Sequence, residues 1–132
     1  MKSSHAGLGL VIAVLMATPL AAQDFTQSAA SEKMPQTEGK ALYDAICAGC
    51  HMPDGKGAVG AGHYPPLANS AFVESKEGVA QWIIQGHKAM PPLGGVMDDE
   101  QIAAIVNYLR SNLGNSYDET ISAAEVAEIR SW

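Results

Sequence analysis

The chain has 132 residues, 47% hydrophobic and 17% charged, with eight Lys and Arg against fourteen Asp and Glu for a net charge of −6. That length suits one domain behind a processed leader, and the acidic balance excludes attraction to nucleic acid or to an anionic membrane surface. Only two cysteines are present, and both lie in one five-residue motif.

Residues 1–22 read as a signal peptide. Lys2 supplies the basic start, Ala6 to Met16 the apolar run and Ala17 to Ala22 the small-residue end, with cleavage expected after Ala22. The apolar run is shorter than the roughly 20 residues a spanning helix needs, so no membrane span is expected after processing. The processed chain is expected in the periplasm. Cleavage removes one Lys and no acid, leaving seven bases against fourteen acids, a charge of −7; a partner with a basic docking patch suits that balance.

Residues 23–36 are polar and small, with Ser28, Ser31 and Pro35, and read as a flexible lead-in. The folded domain is expected over residues 37–114. Its first helix starts at Thr37 as N-cap and carries Leu42, Tyr43 and Ile46 toward the cysteines. From Cys50 to Ser70 glycine and proline dominate, which is loop chemistry. A second helix is expected from Ser75 to Gln85, with Val79, Trp82 and Ile83 as its apolar stripe and Gly86 as its stop. Another loop, Ala89 to Gly95, leads to the clearest helix, Asp99 to about Leu113. Asp98 is its N-cap, Gln101 completes a capping box, Ile102, Ile105, Val106 and Leu109 form its apolar face, and Gly114 ends it. Residues 115–132 read as a C-terminal extension with a short helix over Ala123 to Arg130, capped by Ser122.

No alternating strand pattern is present, so the expected class is all-α, with three to five short helices and long loops. Loops of about 15 to 20 residues are unusual in a small helical domain unless something organises them. Short helices over about 80 residues also make a small core. A haem would answer both points.

Cys47-Ala48-Gly49-Cys50-His51 is the pattern for covalent attachment of c-type haem. Two thiols three residues apart on one helical turn can each add to a vinyl group on the same porphyrin edge. The residue after them then lies under the ring, where its imidazole Nε2 can reach the iron. A zinc site would want a second pair of ligands, and beyond the leader only His63 and His87 stand outside the motif, without convincing spacing. A thioredoxin-like redox pair expects a neighbouring βαβ pattern, which is absent. A disulfide across two residues would constrain very little chain.

The iron's second axial ligand must come from elsewhere in the chain. Met34 lies in the lead-in, and Met52 follows His51 too closely to reach the opposite face. Met90 sits before Pro91 and Pro92, which stiffen the backbone behind an inward side chain. Met90 is therefore favoured, with Met97, His63 and His87 as alternatives; Met97 precedes a helix cap, where an apolar residue usually packs as a staple. The Nδ1–H of His51 needs an acceptor that fixes its tautomer, and a backbone carbonyl in Pro65-Pro66-Leu67 suits this. Trp82 is a candidate contact to a propionate or the haem edge, because a buried indole N–H seeks a partner; a core role suits it equally.

With these residues in place, the chain resembles the class I c-type cytochromes over residues 37–114. The matching points are Gly39-x-x-x-Tyr43 before the Cys47 motif, then Pro65-x-Leu67, Met90-Pro91 and Asn107-Tyr108-Leu109. The resemblance implies the cytochrome c fold around one covalent haem c. It implies first and last helices crossing near Gly39 and Tyr108, a Pro65 carbonyl accepting from the haem histidine, and Met90 as distal ligand. A narrower resemblance lies in Gly60 to Asn69 and in the tail from Gly114. Both look like cytochrome subunits of periplasmic dehydrogenases, among them flavoenzymes similar to p-cresol methylhydroxylase and alcohol or sugar-acid dehydrogenases.

The expectation is thus electron transfer rather than catalysis: a dehydrogenase, expected to be a flavoprotein, as donor, and a cytochrome or oxidase of the respiratory chain as acceptor. A free shuttle to a terminal oxidase is the alternative. A haem peroxidase or gas-binding module would require an open iron position, which Met90 closes.

Overall fold

The computed structural model describes residues 34–132; the expected signal peptide and residues 23–33 of the lead-in lie outside them. The last three lead-in residues are docked. Gln101 donates through Nε2 to the carbonyls of Met34 (2.5 Å) and Gln36 (2.7 Å), and the Met34 amide donates to Val96 O at 3.2 Å.

The first helical stretch is α1 (Gly39–Leu42), a π-helical turn (Tyr43–Cys47) and α2 (Ala48–His51), which continue without a break because Tyr43 and Ala48 keep helical dihedrals. It starts later than Thr37. The N-cap is Glu38, which makes no side-chain cap. Packing sets the start instead: Leu42 and Tyr43 are fully buried, and Gly39 lies against α4 (Asp99–Ser111). A Cβ on Gly39 would overlap the Ala104 carbonyl oxygen and come 2.7 Å from Tyr108 Cβ. The two helices cross where only glycine lets the backbones meet. The Tyr43 and Tyr108 rings pack at that crossing, 5.6 Å apart.

The glycine- and proline-rich stretch after α2 departs from the all-α expectation by one small hairpin. β1 (Ala58–Val59) pairs antiparallel with β2 (His63–Tyr64), Ala58 opposite Tyr64. Two residues per strand are too few to show alternation in sequence, and the fold remains mostly helical.

α3 (Lys76–Gln85) begins at Ser75, whose hydroxyl accepts from the Gly78 amide, and buries Val79, Ala80 and Ile83. α4 carries the expected capping box between Asp98 and Gln101 and buries Ile102, Ile105, Val106 and Leu109. It ends at Ser111 rather than at Leu113, which already has φ 56°, with Gly114 at φ 81°. α5 (Ala123–Arg130) has its own capping box, Ser122 with Glu125.

The tail after α4 shares the core. Ile121, Val126 and Ile129 are buried, Asn107 exchanges two hydrogen bonds with the Ile121 backbone, and α5 packs on α3 and α4. Buried Arg110 donates to the carbonyls of Val73, Glu74 and Glu119 and lies over the Tyr117 ring. No helix among the described residues is long and apolar enough to cross a membrane.

Candidate functional site

The motif occupies the end of the first helical stretch. Cys47 is half-buried and Cys50 is exposed, their thiols three residues apart on one helical turn. Burial, with Cys50 nearby, pushes the Cys47 thiol up to about 12.

His51 is the last residue of α2 and is half-buried. Its Nδ1 lies 2.9 Å from the carbonyl oxygen of Pro65. A carbonyl only accepts, so Nδ1 carries the proton and Nε2 keeps its lone pair. The intervening loop is built around that contact. Met52 turns the chain at φ 66°, and the Tyr43 hydroxyl donates to the Met52 carbonyl at 2.6 Å. The Gly57 amide donates to His51 O at 3.0 Å, and the Leu67 and Ala68 amides both donate to Gly55 O. Gly57 has φ 67°, and a Cβ there would overlap the Tyr64 carbonyl oxygen and sit 2.9 Å from Pro65 O. Tyr43 and Gly57 were missed as site residues: Tyr43 reads as core, and Pro53-Asp54-Gly55-Lys56-Gly57 reads only as a loop.

Met90 lies in the loop that leaves α3. Gly86 ends the helix at φ 75°, and a Cβ on it would come 2.6 Å from Met90 O and 2.8 Å from Pro92 N. His87 and Met90 exchange two backbone hydrogen bonds, of 3.0 and 2.9 Å. Beyond the two prolines, the Leu93 and Gly94 amides donate to Ile83 O and Ile84 O at the end of α3. Met90 is half-buried against the core.

Among the alternatives, Met97 is 2% exposed and belongs to the core, as a staple before Asp98 does. His63 is exposed on β2. His87 is exposed and stacks on Trp82, ring centroids 4.7 Å apart at 27°. Trp82 is half-buried between that ring and Phe72, 6.2 Å away. It therefore abuts the Met90 turn through His87.

The donor set fits haem c. The candidate donors are two thiols on one helix, an imidazole whose Nε2 lone pair is preserved, and the Met90 thioether in a loop gripped at both ends. Ile46, Leu67, Met90 and Leu93 are only partly buried against the core, as apolar side chains are when a flat apolar group completes their cover. Among the described residues no group of three or more His, Cys, Asp or Glu converges to hold a metal ion.

Residues 34–109 match the family model described as cytochrome c oxidase, cbb3-type, subunit III. The chain is 36% identical to the fructose dehydrogenase cytochrome subunit of Gluconobacter japonicus, over 71% of this chain and 22% of that one. It is 32% identical to the gluconate 2-dehydrogenase cytochrome c subunit of Pantoea cypripedii, over 70% and 24%. Against cytochrome c-552 of Thermus thermophilus it is 33% identical, over 72% and 86%. The chain thus spans about a quarter of the length of the dehydrogenase subunits it matches, and most of the length of cytochrome c-552.

Proposed function

The chain belongs to the cytochrome c family, whose members transfer electrons and bind haem c covalently, and from that premise we propose that it carries single electrons in the periplasm from a dehydrogenase to the respiratory chain. In this reading Cys47 and Cys50 would hold the haem, and His51 and Met90 would bind its iron. Residues 1–22 are a cleaved leader, and a flavoprotein dehydrogenase is the donor. Bound haem c supplies an iron that gains or loses one electron. The residues around it do the rest. Pro65 O holds the Nδ1 proton of His51 and keeps the ring a strong donor. The turn closed by His87 and Met90 presents a thioether, a ligand that raises the potential relative to many haem sites. With His51 and Met90 both bound to the iron, the group would serve electron transfer rather than substrate binding.

The observation that carries this reading is the 2.9 Å contact between His51 and Pro65, which prepares an imidazole for metal and engages the sequence's own proline loop. The test is Met90→Ala. The ferric protein is expected to lose its Met-to-iron absorption and to bind carbon monoxide in the ferrous state, which the parent is expected to do poorly. A spectrum unchanged from the parent would exclude Met90 as ligand.

A second reading has its own support. The likeness to cytochrome c-552 covers 86% of that small protein, which favours a free shuttle. Co-purification from the native periplasm distinguishes them: recovery bound to a dehydrogenase supports the subunit, and recovery alone, with direct reduction of an oxidase, supports the shuttle.

A further inference from the structure

The residues matched by the family model stop at 109, yet α5, well beyond them, ends on a side chain that reaches back to the Met90 loop. Arg130 uses its whole fork. Nε donates to Asp99 Oδ1 at 2.8 Å, Nη1 to Gly94 O at 2.6 Å and Nη2 to Met97 O at 3.1 Å. Gly94 and Met97 bracket the turn that joins the Met90-Pro91-Pro92 segment to α4.

That segment has few backbone ties of its own, because Pro91 and Pro92 have no N–H to donate. Upstream it is held by the His87–Met90 pair, and downstream by the Leu93 and Gly94 amides on α3. Gly94 is enclosed on both sides: a Cβ there would come 2.9 Å from Ile84 O and 3.0 Å from Arg130 Nη1. The guanidinium is therefore the outer wall of the downstream anchor. It is itself held in place by the buried Val126 and Ile129 of α5, by the Asn107–Ile121 pair and by the Lys76–Glu125 ion pair at 3.0 Å.

We infer that Arg130 is a positioning residue for the distal ligand: its guanidinium clamps Gly94 and Met97, and so the C-terminal helix holds the Met90 loop shut. The inference rests on Met90 being the axial ligand. Its chemistry suits the task, since a planar cation donates several charge-assisted bonds in fixed directions while an ammonium cannot reproduce the fork. Displacing Met90 requires the loop to lift from α3, and lifting it breaks the contact to Gly94 O.

The test is an imidazole titration of the ferric holoprotein near neutral pH, followed by loss of the Met-to-iron absorption, in the parent, Arg130→Met and Arg130→Lys. Arg130→Met keeps the apolar stem and removes the fork. The half-saturating imidazole concentration is expected to fall about tenfold, the scale of one lost charge-assisted bond, with Arg130→Lys between the two. Amide exchange at Leu93 and Gly94 should quicken in step. If Arg130→Met lowers the urea midpoint while imidazole affinity stays within about twofold of the parent, Arg130 only secures the extension and the inference fails. Should Arg130→Met not fold, Arg130→Lys decides by the same criterion. A parent lacking the Met-to-iron absorption would refute Met90 as ligand instead. Exchange at Leu93 and Gly94 would then still report whether Arg130 holds the loop.

Discussion

Gly57 and Pro65 are packed so closely that a β-carbon on the glycine would lie 2.9 Å from the carbonyl oxygen that faces His51 Nδ1. The glycine also holds φ 67°, a conformation that costs other residues about 1 kcal/mol or more. Gly57→Ala overlaps the Tyr64 carbonyl oxygen and crowds the Pro65 carbonyl, and is expected to weaken the Pro65 contact to the imidazole. A weakened bond makes His51 a poorer donor to ferric iron, so the midpoint potential should rise. Only the part of the bond that differs between ferric and ferrous states moves the potential, so a net hydrogen bond of about 1 kcal/mol sets an upper limit of roughly 40 mV for one electron. Potentiometric titration of the variant checks this, and a fall in potential would contradict it.

Tyr43 is fully buried and donates to Met52 O, so Tyr43→Phe strands that acceptor at a cost of about 1–3 kcal/mol. Burial, the largest cause, pushes the phenol up to about 12 from its ordinary 10.0. An acid held neutral in the fold loses its proton first in the unfolded chain. Stability is therefore complete below pH 10 and falls as pH rises toward 12. Urea unfolding of the parent and Tyr43→Phe across that window should show a difference between them that shrinks as pH rises.

Glu125 has the opposite sign. The Ser122 amide first, then the Ser122 hydroxyl and Lys76, lower its carboxyl from 4.5 to about 2. A carboxylate preferred by the fold stabilises it fully above the unfolded value and ceases to do so as pH falls from 4.5 toward 2. The docking of α5 should loosen over that range. Amide exchange in α5 of the parent and Glu125→Gln, measured between the two limits, should show acid sensitivity in the parent and a flatter profile in the variant.

The elements legible in the sequence are those whose determinants lie within four residues. Asp98 with Gln101, Ser122 with Glu125, and Ser75 with Gly78 are local caps, and each marks a helix start to within one residue. Thr37 misled because nothing in its neighbourhood announces that Gly39 must meet Ala104 and Tyr108 on another helix. The hairpin at Ala58–Tyr64 escaped because two residues per strand carry no period. Tyr43, Gly57, Arg110 and Arg130 escaped as well, since each acts through partners 9 to 37 residues away or through a steric limit on one carbonyl.

By itself, the sequence determined the cofactor chemistry and the order of its parts. Two thiols and an imidazole in five residues, a proline loop and a Met-Pro pair are chemical identities, and spacing alone ties Cys47, Cys50 and His51 to one helical turn. Only the tertiary structure decided how those parts are held. Which carbonyl faces His51 depends on a loop folding back over fourteen residues around Gly57. Which side chain closes over the Met90 loop depends on α5 packing across α3 and α4 to deliver Arg130. Such contacts depend on loop closure and on the shape of the core, and neither is written in any local pattern of residues.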